Sequence, residues 1–338
     1  MQRAGEEPEV PTRVLSLPPA LFSVPDRLAT ARLFDFQVNG FAGVDFQNDA
    51  LGLEEMVACV AALERHRMTA ILFTLITDRV DTLCRKLERI ETLRQQDDRV
   101  AAVIRGYHLE GPWISTEAGY HGAHPVELAT TPSLADYRRL RDAAGENLKL
   151  ITLAPEVDGC LEVIEAATAD GIRVALGHTN ASNEAIELAI QAGATLATHL
   201  GNGTPSLLHR HDNVIQRLLA HDELIACFIP DGIHLPPFVL KNFVRAKPPG
   251  RVFFTTDCMA AAGAPPGRYT IGPHEVEVGD DGIVHLPGDT RFAGSSLTLD
   301  RGVENLTRWL DLDAATAIDL CSTAPARHLG IELVASGE

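Results

Sequence analysis

The chain has little positive charge and no run of Lys or Arg that would form a basic patch. It has 338 residues, with 29 Lys and Arg against 46 Asp and Glu, and a formal net charge of −17. This balance argues against a nucleic-acid partner, because proteins that bind nucleic acid present clustered basic side chains to the phosphates. An acidic surface also repels anionic substrates, so an anionic ligand would need local Arg, His or backbone N–H groups.

Paired cysteines and long apolar runs are also missing. The six cysteines are scattered without a C-x-x-C pair, which favours neither a disulfide framework nor a cysteine-type zinc site. We therefore expect a soluble protein of a reducing compartment, the cytoplasm. The N-terminal MQRAGEEPEV is polar and acidic, unlike a signal peptide. The longest apolar run, around ILFTLI, is far too short to span a bilayer, so no membrane partner is expected.

Eight short apolar, β-branched runs recur along the chain, with helical patterns between them. Each run is apolar on both faces, as expected for a parallel sheet covered on both sides. Eight such units predict an α/β fold, a (β/α)8 TIM-type barrel, with an open doubly wound sheet as the alternative. No G-x-G-x-x-G follows the first run, which disfavours the dinucleotide-binding form of that alternative. The runs are 32–38, 69–76, 100–109, 148–154, 172–177, 194–200, 224–230 and 251–256.

One barrel domain is expected over residues 31–330, without a linker that would separate a second domain. Residues 1–30 are an N-terminal segment in which a remnant of a small β domain could lie, and residues 331–338 are a tail. The stretch 268–292 alternates polar and apolar residues around turn signals at 279–282, which predicts a β-hairpin inserted after the eighth strand.

Polar side chains stand at the carboxyl ends of several predicted strands, where barrels of this kind place their reactive groups. A lone histidine there is more often a hydrogen-bonded core residue than a ligand, but four such residues share one topological place. Two histidines and one carboxylate are a common ligand set for catalytic zinc, with a fourth position left for water. The four residues are Glu110, His178, His199 and Asp257.

Two residues at these strand ends, one of the four and one other, have roles that depend on their neighbours. Asp257 could take a proton from the water on the metal. His108 either faces away from the metal or supports its ligands from behind, and the sequence leaves both interpretations open.

Six motifs follow one another along the chain between about residue 33 and residue 330. They are HLEGPWIS, GHTNAS, THLGNGTPSLLHR, PDGIHLPP, TTDCMAAAG and FAGSSLTLDRGVENL. Together, and in this order, they resemble the N-acetylglucosamine-6-phosphate deacetylase family of the amidohydrolase superfamily. The resemblance implies metal-dependent hydrolysis of the acetamide of N-acetylglucosamine 6-phosphate to glucosamine 6-phosphate and acetate, in amino sugar metabolism, by a homodimer.

The resemblance also implies a role for each matching residue. The metal ligands fall on Glu110, His178 and His199, and the catalytic residues on Asp257 and His124, which would polarise the amide carbonyl. The arginine that binds the phosphate, often from the partner subunit, falls on Arg210. The substrate-binding set is Ala123, His124, Asn202, Gly203, Arg210, His234 and the loop Phe292, Ala293 and Gly294.

The chain departs from its superfamily on the first strand, where Gln37-Val38-Asn39 replaces His-x-His. An amide is a poorer transition-metal ligand than imidazole. We therefore predict one divalent metal per subunit, with Zn2+ favoured and Fe2+, Co2+ or Mn2+ as alternatives.

Departures near the pocket leave the substrate open. Asn202-Gly203-Thr204 stands where the family usually has Asn-Ala-Met, and His209 and His211 flank Arg210. A rival is therefore an amidohydrolase for another N-acetylated sugar or an N-acyl amino acid. A non-catalytic barrel is a second rival, which the intact candidate ligands disfavour. The family's small β-sandwich is expected to be reduced or missing.

Overall fold

The computed structural model describes residues 30–288 and 292–333. The predicted N-terminal remnant, apart from residue 30, lies outside these ranges, as do residues 334–338 of the predicted tail. No helix in the described ranges is long and apolar enough to cross a membrane.

Eight parallel strands form one sheet whose spatial order follows the chain, β1-β4-β5-β6-β7-β8-β9-β10. A further parallel bridge joins Val38 to Cys258, beyond the end of β10, and the Asn39 N–H donates to the Cys258 carbonyl at 2.7 Å. The first strand therefore meets the chain that follows the eighth, and the prediction of a TIM-type barrel is confirmed over an open sheet. In chain order the strands are β1 (Leu33–Val38), β2 (Gly40–Phe41), β3 (Val44–Asp45), β4 (Met68–Leu75), β5 (Ile104–Glu110), β6 (Leu148–Leu153), β7 (Arg173–Leu176), β8 (Leu196–Ala197), β9 (Ile225–Phe228), β10 (Val252–Phe254), β11 (Gly267–Ile271), β12 (His274–Val278) and β13 (Val284–His285).

Helices cover the outside of the barrel. The first of them buries Met56, Val60 and Leu63 on one face, as their spacing predicts. Ser182 caps another helix by accepting from the Ala185 N–H at 3.1 Å. The helices are α1 (Leu53–Arg65), α2 (Val80–Gln96), α3 (Asp98–Val103), α4 (Leu134–Ala144), α5 (Cys160–Ala169), α6 (Asn183–Ala192), α7 (Val214–Ala220), α8 (Pro237–Ala246), α9 (Leu299–Leu310), α10 (Ala314–Ile318) and α11 (Ala324–His328), with a π-turn at Asp319–Thr323 between the last two.

The third strand starts later than predicted. Residues 100–103, interpreted from the sequence as its beginning, are the end of the short helix α3, and β5 begins at Ile104. The Asp97 carboxylate accepts from the backbone N–H groups of Arg99 and Val100, which fixes the helix start. A short apolar run suits a buried helix as well as a strand, and here the cap decides.

The barrel strands alternate between two buried faces. On β4, Ala70 and Leu72 belong to the cluster inside the barrel, whereas Ile71 and Phe73 belong to the cluster under the helices. The amino-terminal half of the interior is apolar and is closed by residues of α11 and the segment after it, including Ile331. The polar side chains of the interior lie nearer the carboxyl ends of the strands, where the candidate site is.

A buried carboxylate links the first and last strands. Asp35 of β1 accepts hydrogen bonds from the Thr255 and Thr256 hydroxyls, which follow β10. Burial raises the Asp35 pKa to about 6, although these bonds oppose the shift. The closure of the barrel therefore includes a polar network as well as apolar packing.

The stretch predicted as a hairpin is a three-stranded antiparallel sheet of β11, β12 and β13. Ile271 of β11 and Val276 of β12 form its apolar side and pack with Met259, and Ala123 and Ala293 join the same cluster. This small sheet therefore brings together two segments that the family resemblance assigns to the substrate pocket. In the described ranges, the strands outside the barrel are confined to this sheet and the β2–β3 pair.

Candidate metal centre

One strand sets the depth of the site. Alternate residues of a strand face the same side, so Gly106, His108 and Glu110 of β5 face the barrel interior in ascending order. Glu110 is the last residue of the strand and is 2% exposed. His108 lies one layer below it and is fully buried.

The other three residues of the set lie two or three residues beyond the ends of their strands and share an unusual backbone. His178, His199 and Asp257 have φ angles of 50°, 27° and 50°. Positive φ is uncommon for residues other than glycine, and it concentrates at functional sites because the surrounding structure must hold it. This conformation, just beyond each strand, turns the side chain over the mouth of the barrel.

The ligand atoms converge on one point. The His199 Nε2 lies 3.0 Å from Glu110 Oε1 and 3.1 Å from His178 Nε2, and His178 Nε2 lies 3.3 Å from Glu110 Oε1. Ligands bound tetrahedrally about 2.0–2.1 Å from a zinc ion are separated by about 3.3–3.4 Å. Two nitrogen lone pairs and a carboxylate oxygen at these separations fit a divalent metal between them, and the three buried residues could hold one.

The tautomer of His178 is set by the backbone. Its Nδ1–H donates to the Tyr120 carbonyl at 3.0 Å, which leaves the Nε2 lone pair for the metal. Gly122 and Gly203 pack against this ring, and a Cβ on either would lie 3.0 Å from a ring atom. Both glycines also have positive φ, so the close approach and the backbone conformation favour glycine at these positions.

Gln37 and its neighbours hold the Glu110 carboxylate in place. The Gln37 side-chain amide donates to Glu110 Oε1 at 2.9 Å. Burial by itself would raise the Glu110 pKa, but hydrogen bonds to His178 and His199 outweigh burial and lower that pKa well below its usual value. The carboxylate therefore stays ionised, as a metal ligand must.

Asp257 occupies a different electrostatic environment. Burial, reinforced by repulsion from Glu110, raises the Asp257 pKa to about 7, while the Asn39 side-chain amide opposes this by donating to Oδ1 at 2.8 Å. A carboxyl group with a pKa near neutrality can both accept and return a proton.

His124 reaches the centre as a neutral imidazole. Its Nδ1 accepts from the Thr77 N–H at 3.3 Å and lies 2.9 Å from the Thr77 hydroxyl, so the ring proton is on Nε2, 3.8 Å from Glu110 Oε2. Burial lowers its pKa well below the usual value. A Cβ on Gly111, which has a φ of 89°, would lie 2.2 Å from the Thr77 hydroxyl. The glycine that follows Glu110 therefore leaves room for the Thr77 side chain.

His108 lies below the candidate ligands and contacts the strand that leads to one of them. Its Nε2 lies 2.8 Å from the Thr152 hydroxyl, which lies 2.7 Å from the Thr198 hydroxyl. Thr198 immediately precedes His199, so the chain of contacts runs from β5 through β6 to a metal-ligand candidate. Burial lowers the His108 pKa to about 4 and keeps the ring neutral.

The remaining predicted substrate contacts surround the mouth unevenly. Asp231 accepts from His234 Nδ1 at 2.6 Å and from its backbone N–H, and the His234 ring lies 5.2 Å from that of Phe292. Burial opposes the charged form of His234, but Asp231 outweighs burial and raises the His234 pKa.

Asn202 has a buried side-chain nitrogen without a hydrogen-bond partner in the described ranges. Beside Phe292, Ala293 is buried and Gly294 has positive φ.

Arg210 makes no contact with the residues of the centre within the described part of this chain. It is exposed, and no hydrogen bond or ion pair joins it to another residue of the described ranges. Thr77 is a site residue that the sequence analysis misses. It lies just after the second barrel strand, and the same position at other strand ends identifies the other site residues.

Comparisons with known proteins find relatives that are deacetylases of phosphorylated amino sugars. No family model matches the chain. The N-acetylglucosamine-6-phosphate deacetylase of Mus musculus is 36% identical over 315 residues, which cover 90% of this chain and 75% of the relative. The N-acetylgalactosamine-6-phosphate deacetylase of Escherichia coli O157:H7 is 32% identical over 322 residues, which cover 94% of this chain and 83% of the relative.

Solved structures give a similar result. A mutant N-acetyl-D-glucosamine-6-phosphate deacetylase from Mycobacterium smegmatis, in complex with N-acetyl-D-glucosamine-6-phosphate, superimposes with a TM-score of 0.80 at 30% identity, covering 89% of this chain and 77% of the other. The N-acetylglucosamine-6-phosphate deacetylase from Pasteurella multocida has a TM-score of 0.79 at 26% identity, covering 89% and 76%.

Proposed function

We propose, since the chain belongs to the N-acetylglucosamine-6-phosphate deacetylase family, that it hydrolyses the acetamide of N-acetylglucosamine 6-phosphate. The products are glucosamine 6-phosphate and acetate. The observation that carries the proposal is the convergence of Glu110, His178 and His199 beside a buried Asp257 whose pKa is about 7. A metal site next to a carboxyl group that titrates near neutrality suits amide hydrolysis.

Glu110, His178 and His199 would hold one Zn2+ in each subunit, with Fe2+, Co2+ or Mn2+ as alternatives. The metal supplies Lewis acidity, which activates a water molecule and polarises a carbonyl oxygen. Gln37 and Asn39 supply amide groups where a second transition metal would need stronger ligands, and their nitrogens are already engaged with Glu110 and Asp257. This supports a single metal.

Asp257 acts as the proton carrier of the reaction. Its carboxylate accepts a proton from the attacking water and returns it to the departing amine nitrogen. The raised pKa serves the second step, because the protonated acid must be populated near neutral pH. Asn39 holds the carboxylate in position throughout.

His124 stabilises the oxygen of the acetamide. With Nδ1 occupied by Thr77, the ring presents Nε2–H as a donor toward the centre. Such a preorganised donor is stronger for the negative oxygen that develops in the transition state than for the neutral carbonyl. The lowered pKa keeps the ring neutral. It therefore donates a hydrogen bond without a positive charge that would compete with the metal for its ligands.

The phosphosugar lies across the loops around the mouth. Ala123, Asn202, Gly203 and His234 contact it, and the loop of Phe292, Ala293 and Gly294 closes over it. The unpartnered Asn202 nitrogen supports this assignment.

The protein works as a homodimer, in which Arg210 of the partner subunit binds the phosphate. The exposure of Arg210 and the 85% exposure of Leu207 in the same loop support a contact there. Six free cysteines support a reducing, cytoplasmic setting.

The test is acetate release from N-acetylglucosamine 6-phosphate by purified protein, with and without added Zn2+. Asp257→Asn should lower kcat by about 10²–10⁴-fold, since general acid–base catalysis contributes that much, while the bound metal stays at the parent level. Asp280→Asn, an exposed carboxylate in a turn beyond β12, is the matched control. Near-parental turnover by the metal-loaded Asp257→Asn variant would rule out this role.

A second candidate is the galactosamine isomer. The relative from Escherichia coli O157:H7 covers 94% of this chain, and Gly203-Thr204 departs from the family pattern beside the pocket. Comparing kcat/KM for the two N-acetylhexosamine 6-phosphates, for their unphosphorylated forms and for an N-acetyl amino acid would decide which substrate the mouth fits.

A further inference from the structure

A second cavity opens at the opposite end of the barrel from the metal centre. It has a volume of about 510 Å³ and lies at the amino-terminal ends of β7, β9 and β10, beside α11. Arg173 begins β7 and lines this cavity, whereas His178 follows the same strand at the metal centre. Five residue steps at about 3.3 Å each separate the two sites by roughly 16 Å. The cavity is therefore distinct from the catalytic mouth.

Three arginines converge on this cavity: Arg173, Arg251 and Arg327. Asp319 is the one carboxylate in its lining, and it makes no ion pair with any of the three arginines within 30–288 and 292–333. None of the three is paired with any other carboxylate of the described ranges, although the chain has 46 acidic and 29 basic residues. These three arginines form a local site of positive charge on an acidic protein.

Backbone groups hold two of the arginines in place. Arg173 Nε donates to the His328 carbonyl at 3.0 Å, and Arg251 Nη1 donates to the Glu223 carbonyl at 3.3 Å. These acceptors are neutral, so both guanidinium groups keep their full charge and most of their N–H donors. The planar guanidinium fork matches the oxygens of a phosphoryl group, which it can bind through two parallel hydrogen bonds.

The wall of the cavity offers a neutral, partly apolar surface. His328 Nε2 lies 3.2 Å from the Thr195 hydroxyl, and the His328 ring stands edge-on to Phe253 with the ring centroids 5.7 Å apart. Burial, together with the positive charges of Arg173 and Arg251, lowers the His328 pKa to about 4. The imidazole is therefore uncharged, and the positive field around it comes from the arginines.

We propose that this cavity binds a small phosphorylated molecule, with Arg173, Arg251 and Arg327 holding the phosphoryl group and Phe253 lying beside the organic part. The proposal does not rest on the deacetylase activity, because no residue of the metal centre contributes to it. The volume exceeds that of a single phosphate ion, which favours a phosphomonoester over free phosphate.

The experiment measures binding of inorganic phosphate and of glucose 6-phosphate to the full chain by calorimetry and by the shift in Tm, at low salt. Arg327→Gln is the principal variant, because no hydrogen bond or ion pair within the described ranges involves the Arg327 side chain, so the protein should fold. Arg327 is exposed, and loss of its one charged contact should weaken binding about tenfold. Arg105→Gln, near the start of β5 but outside the lining, is the charge-matched control and should bind like the parent.

Asp319→Asn tests the sign of the field. Removing the one carboxylate of the lining should tighten phosphate binding several-fold, a gain that general destabilisation would not produce. Phosphate bound at the catalytic mouth contributes equally to the parent and to these variants, so the differences report the second cavity. Tighter binding of glucose 6-phosphate than of phosphate supports a phosphomonoester. Equal affinity of the parent, Arg327→Gln and Asp319→Asn for both probes would overturn the proposal.

Discussion

Replacement of Asn39 by leucine should shift the pH dependence of catalysis without unfolding the protein. The Asn39 amide donates to Asp257 Oδ1 at 2.8 Å and thereby stabilises the ionised carboxylate. Its own side-chain oxygen is buried and has no hydrogen-bond partner, so the change removes one unsatisfied acceptor together with the donor. Leucine has the same branching and the same number of non-hydrogen side-chain atoms as asparagine, which limits the packing change to the bulk of its methyl groups.

The magnitude follows from the bond that is lost. A hydrogen bond to a charged group contributes about 1.5–3 kcal/mol, and 1.36 kcal/mol corresponds to one pKa unit. Asn39→Leu should therefore raise the Asp257 pKa by about one to two units above its value near 7. Asp257 must be ionised to accept a proton, so the ascending limb of kcat/KM should move to higher pH by the same amount. A bound metal moves the limb in parent and variant alike, and the difference between them is the quantity to measure.

The assay is acetate release between about pH 5 and pH 9, with the metal content of each preparation measured beforehand. Activity of the variant should fall about 10- to 100-fold on the acidic side and recover as the pH rises. Asn147→Leu removes another amide-to-carboxylate bond, to Glu91 at 3.0 Å, and should leave the profile in place. A uniform loss of activity with an unmoved limb would refute a role for Asn39 in setting the Asp257 pKa.

Three other changes test the site and the barrel. Glu110→Gln should reduce the metal to well below one per subunit by elemental analysis, because the amide is a poor ligand. His108→Leu breaks the contact with Thr152 and should weaken metal retention about tenfold in a chelator titration, with the fold retained by circular dichroism. The Asp35 pKa is about 6 in the folded protein and 3.8 in the unfolded chain. Its contribution to the free energy of unfolding is therefore full below pH 3.8 and is lost as the pH rises through 6. Urea unfolding should therefore shift in favour of Asp35→Asn, relative to the parent, by up to about 3 kcal/mol between pH 4 and pH 7.

The barrel could be predicted from the sequence because its strands are apolar on both faces and alternate with amphipathic helices. The boundary that failed, at residues 100–103, lies in an apolar stretch where helix and strand make the same demand on side chains. Only the Asp97 cap distinguishes them, and its effect depends on backbone geometry that composition does not express.

The candidate ligands could be predicted because strand ends share one edge of the barrel. The donors that organise them could not, since they depend on the register between distant strands. In the sequence, Gln37 and Asn39 stand out only as replacements for metal ligands, yet in the structure they donate to Glu110 and Asp257. Thr77 contacts His124 across a space left by Gly111, a relation that requires three loops to be placed together.

The positive φ angles of His178, His199 and Asp257 also constrain how this site can decay in descendants that lose the activity. When selection no longer maintains the side chain, the backbone conformation is still maintained, because the barrel fixes how the chain turns after each strand. Alanine would keep a left-handed penalty of about 1–2 kcal/mol, whereas glycine relieves it and asparagine tolerates it. Glycine or asparagine at these three positions is therefore the expected mark of a barrel that has kept its fold after abandoning its chemistry.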